Sequence, residues 1–182
     1  MIFRPLLLEG AWVVYSRVHQ DVRGDYRCTF NRDVFAERGL VSSFAESGAA
    51  FNALRGTVRG LHYQLPPRAQ AKLVRCVHGA ILDVIVDLRP ESPTFLQHTT
   101  VMLTAHRSSL LYVPIGFAHG YQTQTDGAIV EYHMSDVHTP ALTRGVRYND
   151  PSFNIKLPID VSLILERDAT YPDFSVNHAQ VN

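Results

Sequence analysis

Residues 57–77 read TVRGLHYQLPPRAQAKLVRCV, and their pattern decides the fold that the sequence predicts. Residues 57–63 and 71–77 are rich in β-branched and aromatic side chains, which favours β-strands. The prolines at positions 66 and 67 cannot continue a β-ladder, so they indicate a turn between the two strands. The stretch therefore predicts a β-hairpin.

Two side chains of this hairpin, His62 and Lys72, suit enolate chemistry. On adjacent strands they would lie close together. A histidine can accept a proton from carbon at neutral pH, and an ammonium group can hold the negative charge that the proton leaves behind. Strict alternation sends Arg59 and His62 to opposite faces of a strand. A pocket that uses both therefore requires a bulge or a strong twist, for which Gly60 is the candidate.

Strand-like segments also dominate the rest of the chain. Further strands are predicted at residues 11–15, 25–30, 80–88, 95–103, 109–113, 120–125 and 128–134. Two short helices are predicted, at residues 32–38 after a capping Asn31 and at residues 163–167 after a capping Ser162. Many short strands without helices between them predict an all-β fold, a cupin-like jelly-roll β-sandwich with a few short helices, in a single domain over residues 1–182.

The composition excludes several classes of protein. The 182 residues include 17 basic and 17 acidic side chains, so no net charge attracts nucleic acid or an anionic membrane. Cys28 and Cys76 are too few for a disulfide framework, and no apolar run reaches the ~18 residues of a membrane helix. The apolar N-terminal run is interrupted by Pro5 and Glu9 and is too short for a signal peptide. We therefore expect a cytoplasmic protein.

Three further side chains could take part in chemistry: His119 within GFAHG, Tyr132 within a predicted strand, and Asp168 near the C-terminus. The segment PIGFAH that ends at His119 matches half of the cupin metal motif. The other half requires a second histidine two positions after His62, where this chain has Gln64. A metal site needs three or four ligands at the right spacing, so we expect no metal. A metal-dependent cupin isomerase or oxygenase is the alternative.

Four segments resemble, in order, the dTDP-4-dehydrorhamnose 3,5-epimerase family. They are VRGLHYQ at 58–64, AQAKLVR at 69–75, DVIVDLR at 83–89 with SPTF at 92–95, and VPIGFAHG at 113–120. The resemblance extends from about residue 13 to residue 172. It implies a jelly roll that needs no metal and no cofactor, and a homodimer in which an N-terminal strand crosses into the neighbour's site. No nucleic-acid or membrane partner is implied.

The implied substrate is a nucleoside-diphosphate 4-keto-6-deoxy sugar. Its C4 ketone acidifies the hydrogens at C3 and C5, which are the inverted centres. By position, His62 resembles the base, and Asp168 resembles the carboxylate that orients it. Lys72 would stabilise the enolate oxygen, and Tyr132 would return a proton from the opposite face. A base that returned its own proton on the same side would only regenerate the starting sugar.

The resemblance also implies a set of substrate-binding residues. Arg59 and His119 match positions around the site and the diphosphate, and Arg23 matches one supplied by the partner subunit. Guanidinium groups suit a diphosphate anion. Gln70 is a weaker candidate for the same pocket.

Three departures from the family pattern concern the end of the pocket that holds the nucleobase. The family's Arg-Gly-Phe-Phe-x-Glu is RGDYRC at 23–28, its Gln-Asp-Asn-His-Ser is ESGAA at 46–50, and its Tyr-Tyr pair is Val137-His138. Tyr26 and His138 are candidate replacements for a base-stacking surface, and Glu46 is a further candidate for substrate binding. We therefore hypothesise that the sugar chemistry is retained while the carrier can differ from dTDP, with GDP and CDP open.

The sequence leaves two questions open. It does not decide whether C3, C5 or both are inverted. It also allows a binding module that has kept the fold and lost catalysis, although His62, Lys72, Tyr132 and Asp168 are all intact, which argues against this alternative.

Overall fold

The computed structural model describes residues 1–175 of the chain. Its strands are β1 (Ile2–Pro5), β2 (Trp12–Tyr15), β3 (Val18–Asp21), β4 (Gly24–Arg27), β5 (Glu46–Asn52), β6 (Thr57–Gln64), β7 (Lys72–His78), β8 (Ala80–Asp87), β9 (His98–Thr104), β10 (Ser109–Val113), β11 (Phe117–Thr123), β12 (Ala128–Met134), β13 (Thr143–Gly145) and β14 (Leu163–Ile164). The helices are α1 (Arg32–Ala36) and α2 (Glu166–Ala169), and one 3₁₀ turn covers Pro140–Leu142.

The strands form two large sheets and one separate hairpin. The first sheet has the order β1-β2-β10-β7-β12-β5, and the second has the order β13-β6-β11-β8-β9, with β14 beside β6. The main core lies between the sheets, since it combines side chains of the first, such as Val74 and Leu111, with side chains of the second, such as Ile85 and Leu103. The prediction of an all-β, cupin-like jelly-roll sandwich is confirmed.

The predicted hairpin between β6 and β7 is wrong, because the two strands belong to different sheets. One edge of β6 pairs with β11, and the other edge pairs with β13 and β14. No edge of β6 is left for β7, so the proline-containing segment at 65–71 crosses from the second sheet to the first. His62 and Lys72 therefore approach each other from facing sheets, and not from adjacent strands.

Gly60 provides the expected irregularity in β6. Its φ of +104° lies in a region that residues other than glycine rarely adopt. A Cβ at this position would also come within 2.7 Å of the His119 carbonyl oxygen. The pairing of β6 with β11 shifts register here, between the pairs His119–His62 and Tyr121–Arg59. The break in alternation lets Arg59 and His62 contribute to one cavity.

The first predicted helix is present and the second begins later than expected. Asn31 caps α1 by accepting a hydrogen bond from Val34 N at 3.0 Å, as the sequence indicates. Ser162 is not a cap, because its hydroxyl donates to Arg55 O at 2.5 Å. The residues after Ser162 form β14 instead, and α2 begins at Glu166. Within residues 1–175 neither α-helix exceeds five residues, so none of the described helices is long enough to cross a membrane.

Several strand limits differ from the predicted ones. The strand predicted at 25–30 ends at Arg27, and the strand predicted at 95–103 begins only at His98. The strand predicted at 120–125 begins at Phe117, so GFAHG lies largely inside β11 and not in a loop before it. The sequence patterns do not reveal β5, because its ESGAAFN segment is built from small and polar residues at a sheet edge.

Candidate active site

A cavity of about 610 Å³ lies between the two sheets, a volume that suits a small-molecule ligand. The first sheet contributes β5, β7 and β12 to its lining, and the second contributes β6 and β11. The structure brings eight of the predicted site residues to this cavity: Glu46, Arg59, His62, Lys72, His119, Tyr132, His138 and Asp168.

His62 and Asp168 form a hydrogen-bonded pair at the cavity. His62 Nε2 lies 2.8 Å from Asp168 Oδ1, and Gly60 N donates to Oδ2 at 3.1 Å. Burial on its own would raise the pKa of Asp168, but the hydrogen bond and charge of His62 outweigh it, together with the Gly60 N–H, and lower the pKa to about 2. Asp168 is therefore ionised at neutral pH. Because it holds Nε2, Nδ1 is the ring nitrogen left to accept a proton.

Arg167 contacts both members of this pair, although the sequence patterns did not single it out. Its Nε donates to Asp168 Oδ1 at 3.1 Å, and its terminal nitrogen lies 3.4 Å from His62 Nε2. Its guanidinium further lowers the pKa of Asp168. The only sequence signal for Arg167 is its place next to Asp168 in the chain.

Lys72 reaches the same region from the facing sheet. Its Nζ donates to the carbonyl oxygen of His62 at 3.3 Å. Burial lowers the pKa of Lys72 to about 8, and the nearby charge of Asp83 opposes part of this shift. The ammonium form therefore prevails at neutral pH, where it can stabilise a developing oxyanion in the cavity.

Tyr132 lies on β12 in the first sheet, whereas His62 lies on β6 in the second. Burial is the main cause that raises the pKa of Tyr132 well above its ordinary value, and the neighbouring Tyr121 raises it further. Tyr132 is therefore a protonated phenol at neutral pH. A proton acceptor and a proton donor thus reach one cavity from opposite sheets.

His119 forms a second histidine–aspartate pair with Asp83, which the sequence reasoning missed. Its Nε2 lies 3.0 Å from the Asp83 carboxylate. Burial raises the pKa of Asp83, while the charge and hydrogen bond of His119 oppose the rise. An aspartate within the apolar run of β8 was the available signal, because a buried carboxylate needs a partner.

Arg59 is held by a buried amide that the sequence also did not reveal. Its Nε donates to Asn52 Oδ1 at 2.7 Å, and its terminal nitrogen donates to Phe51 O at 3.2 Å. The hydroxyl of Tyr121 donates to the same Asn52 oxygen at 3.2 Å. Arg59 and Tyr121 both line the cavity.

Glu46 and His138 lie at another part of the cavity lining. Glu46 Oε2 accepts a hydrogen bond from His138 N at 2.7 Å, and His138 Nε2 lies 3.0 Å from Thr143 Oγ1. The first contact holds the loop after β12 against β5, and the second holds it against the start of β13. Two of the three altered sequence segments therefore meet at the cavity.

Arg23, Tyr26 and Gln70 lie outside the cavity lining of their own chain. Arg23 forms an exposed ion pair with Asp21 at 2.6 Å, and Tyr26 is exposed on the same β3–β4 hairpin. Gln70 is buried, and its Nε2 donates to Asp136 O at 2.7 Å. The amide of Gln70 is thus used in a loop contact and not in the cavity.

Gln64 stands where the cupin metal motif would require a histidine. Its Oε1 accepts from Thr139 N at 2.8 Å, and its Nε2 donates to Val137 O at 3.1 Å. Among residues 1–175, no group of three or more His, Cys, Asp or Glu side chains is arranged to hold a metal ion.

Comparisons with known proteins agree on one family. The sequence model of dTDP-4-dehydrorhamnose 3,5-epimerase matches residues 5–175. A protein of that name from Methanothermobacter thermautotrophicus is 35% identical over 173 residues, which cover 93% of this chain and 92% of the relative. A dTDP-4-dehydro-6-deoxyglucose 3-epimerase from Streptomyces bikiniensis is 36% identical over 92% of this chain and 86% of its own.

A solved structure gives the same picture. The dTDP-4-dehydrorhamnose 3,5-epimerase from Bacillus anthracis, crystallised with TDP and PPi bound, superposes with a TM-score of 0.91 at 35% identity. The superposition covers 95% of this chain and 99% of that structure.

Proposed function

The chain belongs to the dTDP-4-dehydrorhamnose 3,5-epimerase family, and from that premise we propose that it inverts C3, C5 or both of a nucleoside-diphosphate 4-keto-6-deoxy sugar. It is an isomerase of deoxysugar biosynthesis. One observation carries the proposed mechanism: His62 and Tyr132 line one cavity from opposite sheets, and Lys72 also reaches it.

The first step is the removal of a proton from the carbon beside the ketone. His62 accepts this proton on Nδ1, because Nε2 is held by Asp168 at 2.8 Å. The carboxylate fixes the ring and stabilises the imidazolium that forms. The electron pair of the broken C–H bond moves towards the C4 oxygen, which becomes an enolate. Lys72 stabilises this negative charge, a contribution on the order of 3 kcal/mol.

The second step returns a proton to the opposite face of the carbon. Tyr132 donates its phenolic proton, the enolate electron pair forms the new C–H bond, and the ketone is restored. Inversion follows because the acceptor and the donor lie on opposite sides of the sugar ring. Solvent then restores the protonation states of His62 and Tyr132.

Solvent deuterium tests the role of His62. In heavy water with a 4-keto-6-deoxy nucleotide sugar, we expect deuterium to enter C3, C5 or both, and His62→Ala to reduce this entry by about a thousandfold. His106→Ala, a change at an exposed histidine outside the cavity, is the matched control and should exchange like the wild type. Unchanged exchange in His62→Ala would remove His62 from the base role.

We propose a homodimer in which the exposed β3–β4 hairpin carries Arg23 into the partner's site. Seven of the eight residues in its strands are exposed, and Val18, Val22 and Tyr26 leave apolar surface exposed. Such an exposed, separate hairpin suits pairing with a second copy. The guanidinium of Arg23 would then meet the substrate diphosphate, beside Arg59 and His119 of the partner subunit.

Subunit mixing tests this assembly. Arg23→Ala and His62→Ala should each be inactive alone. A mixed dimer combines the intact His62 of one subunit with the intact Arg23 of the other at one site, so refolding the two variants together should restore about a quarter of the wild-type activity. No recovery on mixing, with dimers present by light scattering, would contradict the shared site.

The nucleotide carrier is a separate part of the proposal. The relatives are named for dTDP sugars, but this chain has altered residues at Glu46 and His138, which meet in the cavity lining. We therefore propose that this chain does not bind dTDP in preference to the other nucleotide carriers. Calorimetric binding of dTDP, UDP, GDP and CDP decides the question, and a clear preference for dTDP would refute this part.

A further inference from the structure

A second tyrosine lies behind the proposed acid. Tyr121 is on β11, is 2% exposed, and has its ring centroid 6.4 Å from that of Tyr132 at an interplanar angle of 34°. Tyr121 touches the cavity but is not needed for the two proton transfers described above. Its hydroxyl group therefore requires an explanation of its own.

The direction of the Tyr121 hydrogen bond follows from the amide of Asn52. Asn52 Nδ2 donates to Ala128 O at 3.0 Å and to Ala50 O at 3.2 Å. These two carbonyl oxygens fix the orientation of the amide, so Oδ1 must be the atom that faces Arg59 and Tyr121. Because Asn52 Oδ1 can only accept, the Tyr121 hydroxyl donates to it at 3.2 Å.

A hydroxyl that donates in one direction can still accept in another. The oxygen of Tyr121 is thus free to accept from the Tyr132 hydroxyl, and hydrogen bonding with Tyr121 is one of the causes, after burial, that raise the pKa of Tyr132. The Tyr121 hydroxyl thus has its proton engaged by Asn52 and its lone pairs available to the Tyr132 hydroxyl.

We propose that Tyr121 is a positioning residue that controls how fast Tyr132 delivers its proton to the enolate. This inference rests on the epimerase function proposed above. During delivery the O–H bond of Tyr132 breaks and a C–H bond forms, so Tyr132 becomes a phenolate. Rotation about its C–O bond lets Tyr121 turn its own O–H from Asn52 to that phenolate. The proton of Tyr121 stays on Tyr121 throughout.

The consequence is a partition of the enolate between two fates. Return of a proton from His62 regenerates the starting configuration, whereas delivery from Tyr132 gives inversion. The His62 side chain is 26% exposed, so its imidazolium can exchange protons with solvent. In heavy water the first fate therefore places deuterium on carbon with retained configuration. The ratio of retained to inverted deuterated sugar therefore measures proton delivery by Tyr132 apart from proton removal by His62.

Tyr121→Phe tests the inference, because it keeps the buried ring and removes only the hydroxyl. The change removes a hydrogen bond to the neutral phenol and a stronger one to the charged phenolate, so the net effect should raise the ratio of retained to inverted label about fivefold. Tyr112→Phe is the matched control, since Tyr112 is also a buried tyrosine with a hydrogen-bonded hydroxyl, which accepts from Val41 N at 3.1 Å, and it lies outside the cavity. Its ratio should equal that of the wild type.

Tyr121→Met provides a second test if Tyr121→Phe does not fold. This flexible apolar side chain also removes the hydroxyl, so the ratio should again rise. An unchanged ratio in whichever variant folds, or an equal loss of exchange and inversion, would overturn the role of Tyr121. A wild-type enzyme that neither exchanges nor epimerises any 4-keto sugar would instead refute the function on which the inference rests.

Discussion

Two histidine–aspartate pairs place their imidazole rings at the cavity, and the two pairs differ in their surroundings. His62 and His119 are paired in register on the neighbouring strands β6 and β11, and their nitrogens lie 2.8 Å and 3.0 Å from Asp168 and Asp83, respectively. The His62 side chain is 26% exposed, whereas that of His119 is 4% exposed. One imidazole can exchange protons with solvent, and the other is nearly sealed.

The pKa values of the two carboxylates, Asp168 and Asp83, are shifted in opposite directions. The pKa of Asp168 falls to about 2, because the donors around it outweigh the effect of burial. The pKa of Asp83 rises, because burial outweighs His119 and Lys72. A histidine next to an aspartate therefore does not identify a base. Access of the ring to solvent and a carboxylate kept ionised by its donors make the His62 pair suitable for proton transfer, whereas deeper burial makes the His119 pair a support.

Matched amide substitutions should separate the two pairs most strongly. Asp168→Asn removes the anion that orients His62 and stabilises its imidazolium, so we expect kcat/KM to fall by on the order of 10³-fold. Asp83→Asn keeps a polar partner for His119 without altering the base, so we expect a loss of about tenfold or less. The two rates are compared at pH 7 with one 4-keto sugar. Equal losses would show that both pairs serve the same step.

The next comparison concerns Lys72, which lies within the electrostatic reach of Asp83. Lys72→Met removes the charge that, in the proposed mechanism, holds the enolate, and it should lower kcat about a hundredfold. The same change should raise the free energy of unfolding at pH 7 by about 1 to 3 kcal/mol, because the native state no longer buries an ammonium group. Urea denaturation measures this gain.

The sign of the stability effect follows from the lowered pKa. Burial lowers the pKa of Lys72 from 10.5 to about 8, so below pH 8 the ammonium opposes folding, and this cost disappears as the pH rises towards 10.5. The chain has one other lysine, the exposed Lys156, and Lys156→Met is the matched control for both measurements. If Lys72→Met were less stable than the wild type, the Lys72 ammonium would stabilise the native state, which would contradict this prediction.

The sequence predicted the core strands well, because β7, β8, β10 and β12 are rich in apolar and β-branched residues that match a buried sheet. It failed where pairing depends on distant partners. A proline-containing turn indicates that the chain reverses, but the edges taken by β11, β13 and β14 decide that β7 must join the other sheet. The same applies to β14, which was predicted as helix and is held as a strand by pairing with β6.

The candidate site shows the same division. His62 and Lys72 could be named because they lie in recognisable segments, and Tyr132 and Asp168 because they match family positions outside those segments. The structure brings all four to one cavity. The residues that support them were missed, although Asp83 lies in one of the recognisable segments. Asp83, Tyr121, Asn52 and Arg167 act through neighbours that lie close only after folding, at separations of 36 residues for Asp83–His119 and 69 for Asn52–Tyr121.

The smallest expected effect is a change in the pH dependence of kcat/KM, through which Asp83 of the second pair influences Lys72. In the proposed mechanism Lys72 must carry its proton to hold the enolate charge. Its pKa is about 8, so kcat/KM should fall about tenfold per pH unit above pH 8. Asp83 opposes the lowering of this pKa by burial. In Asp83→Asn the fall should therefore begin at lower pH, whereas Asp160→Asn, a change at an exposed carboxylate outside the cavity, should keep the wild-type profile. A profile that moves to higher pH in Asp83→Asn would mean that the second pair does not support Lys72.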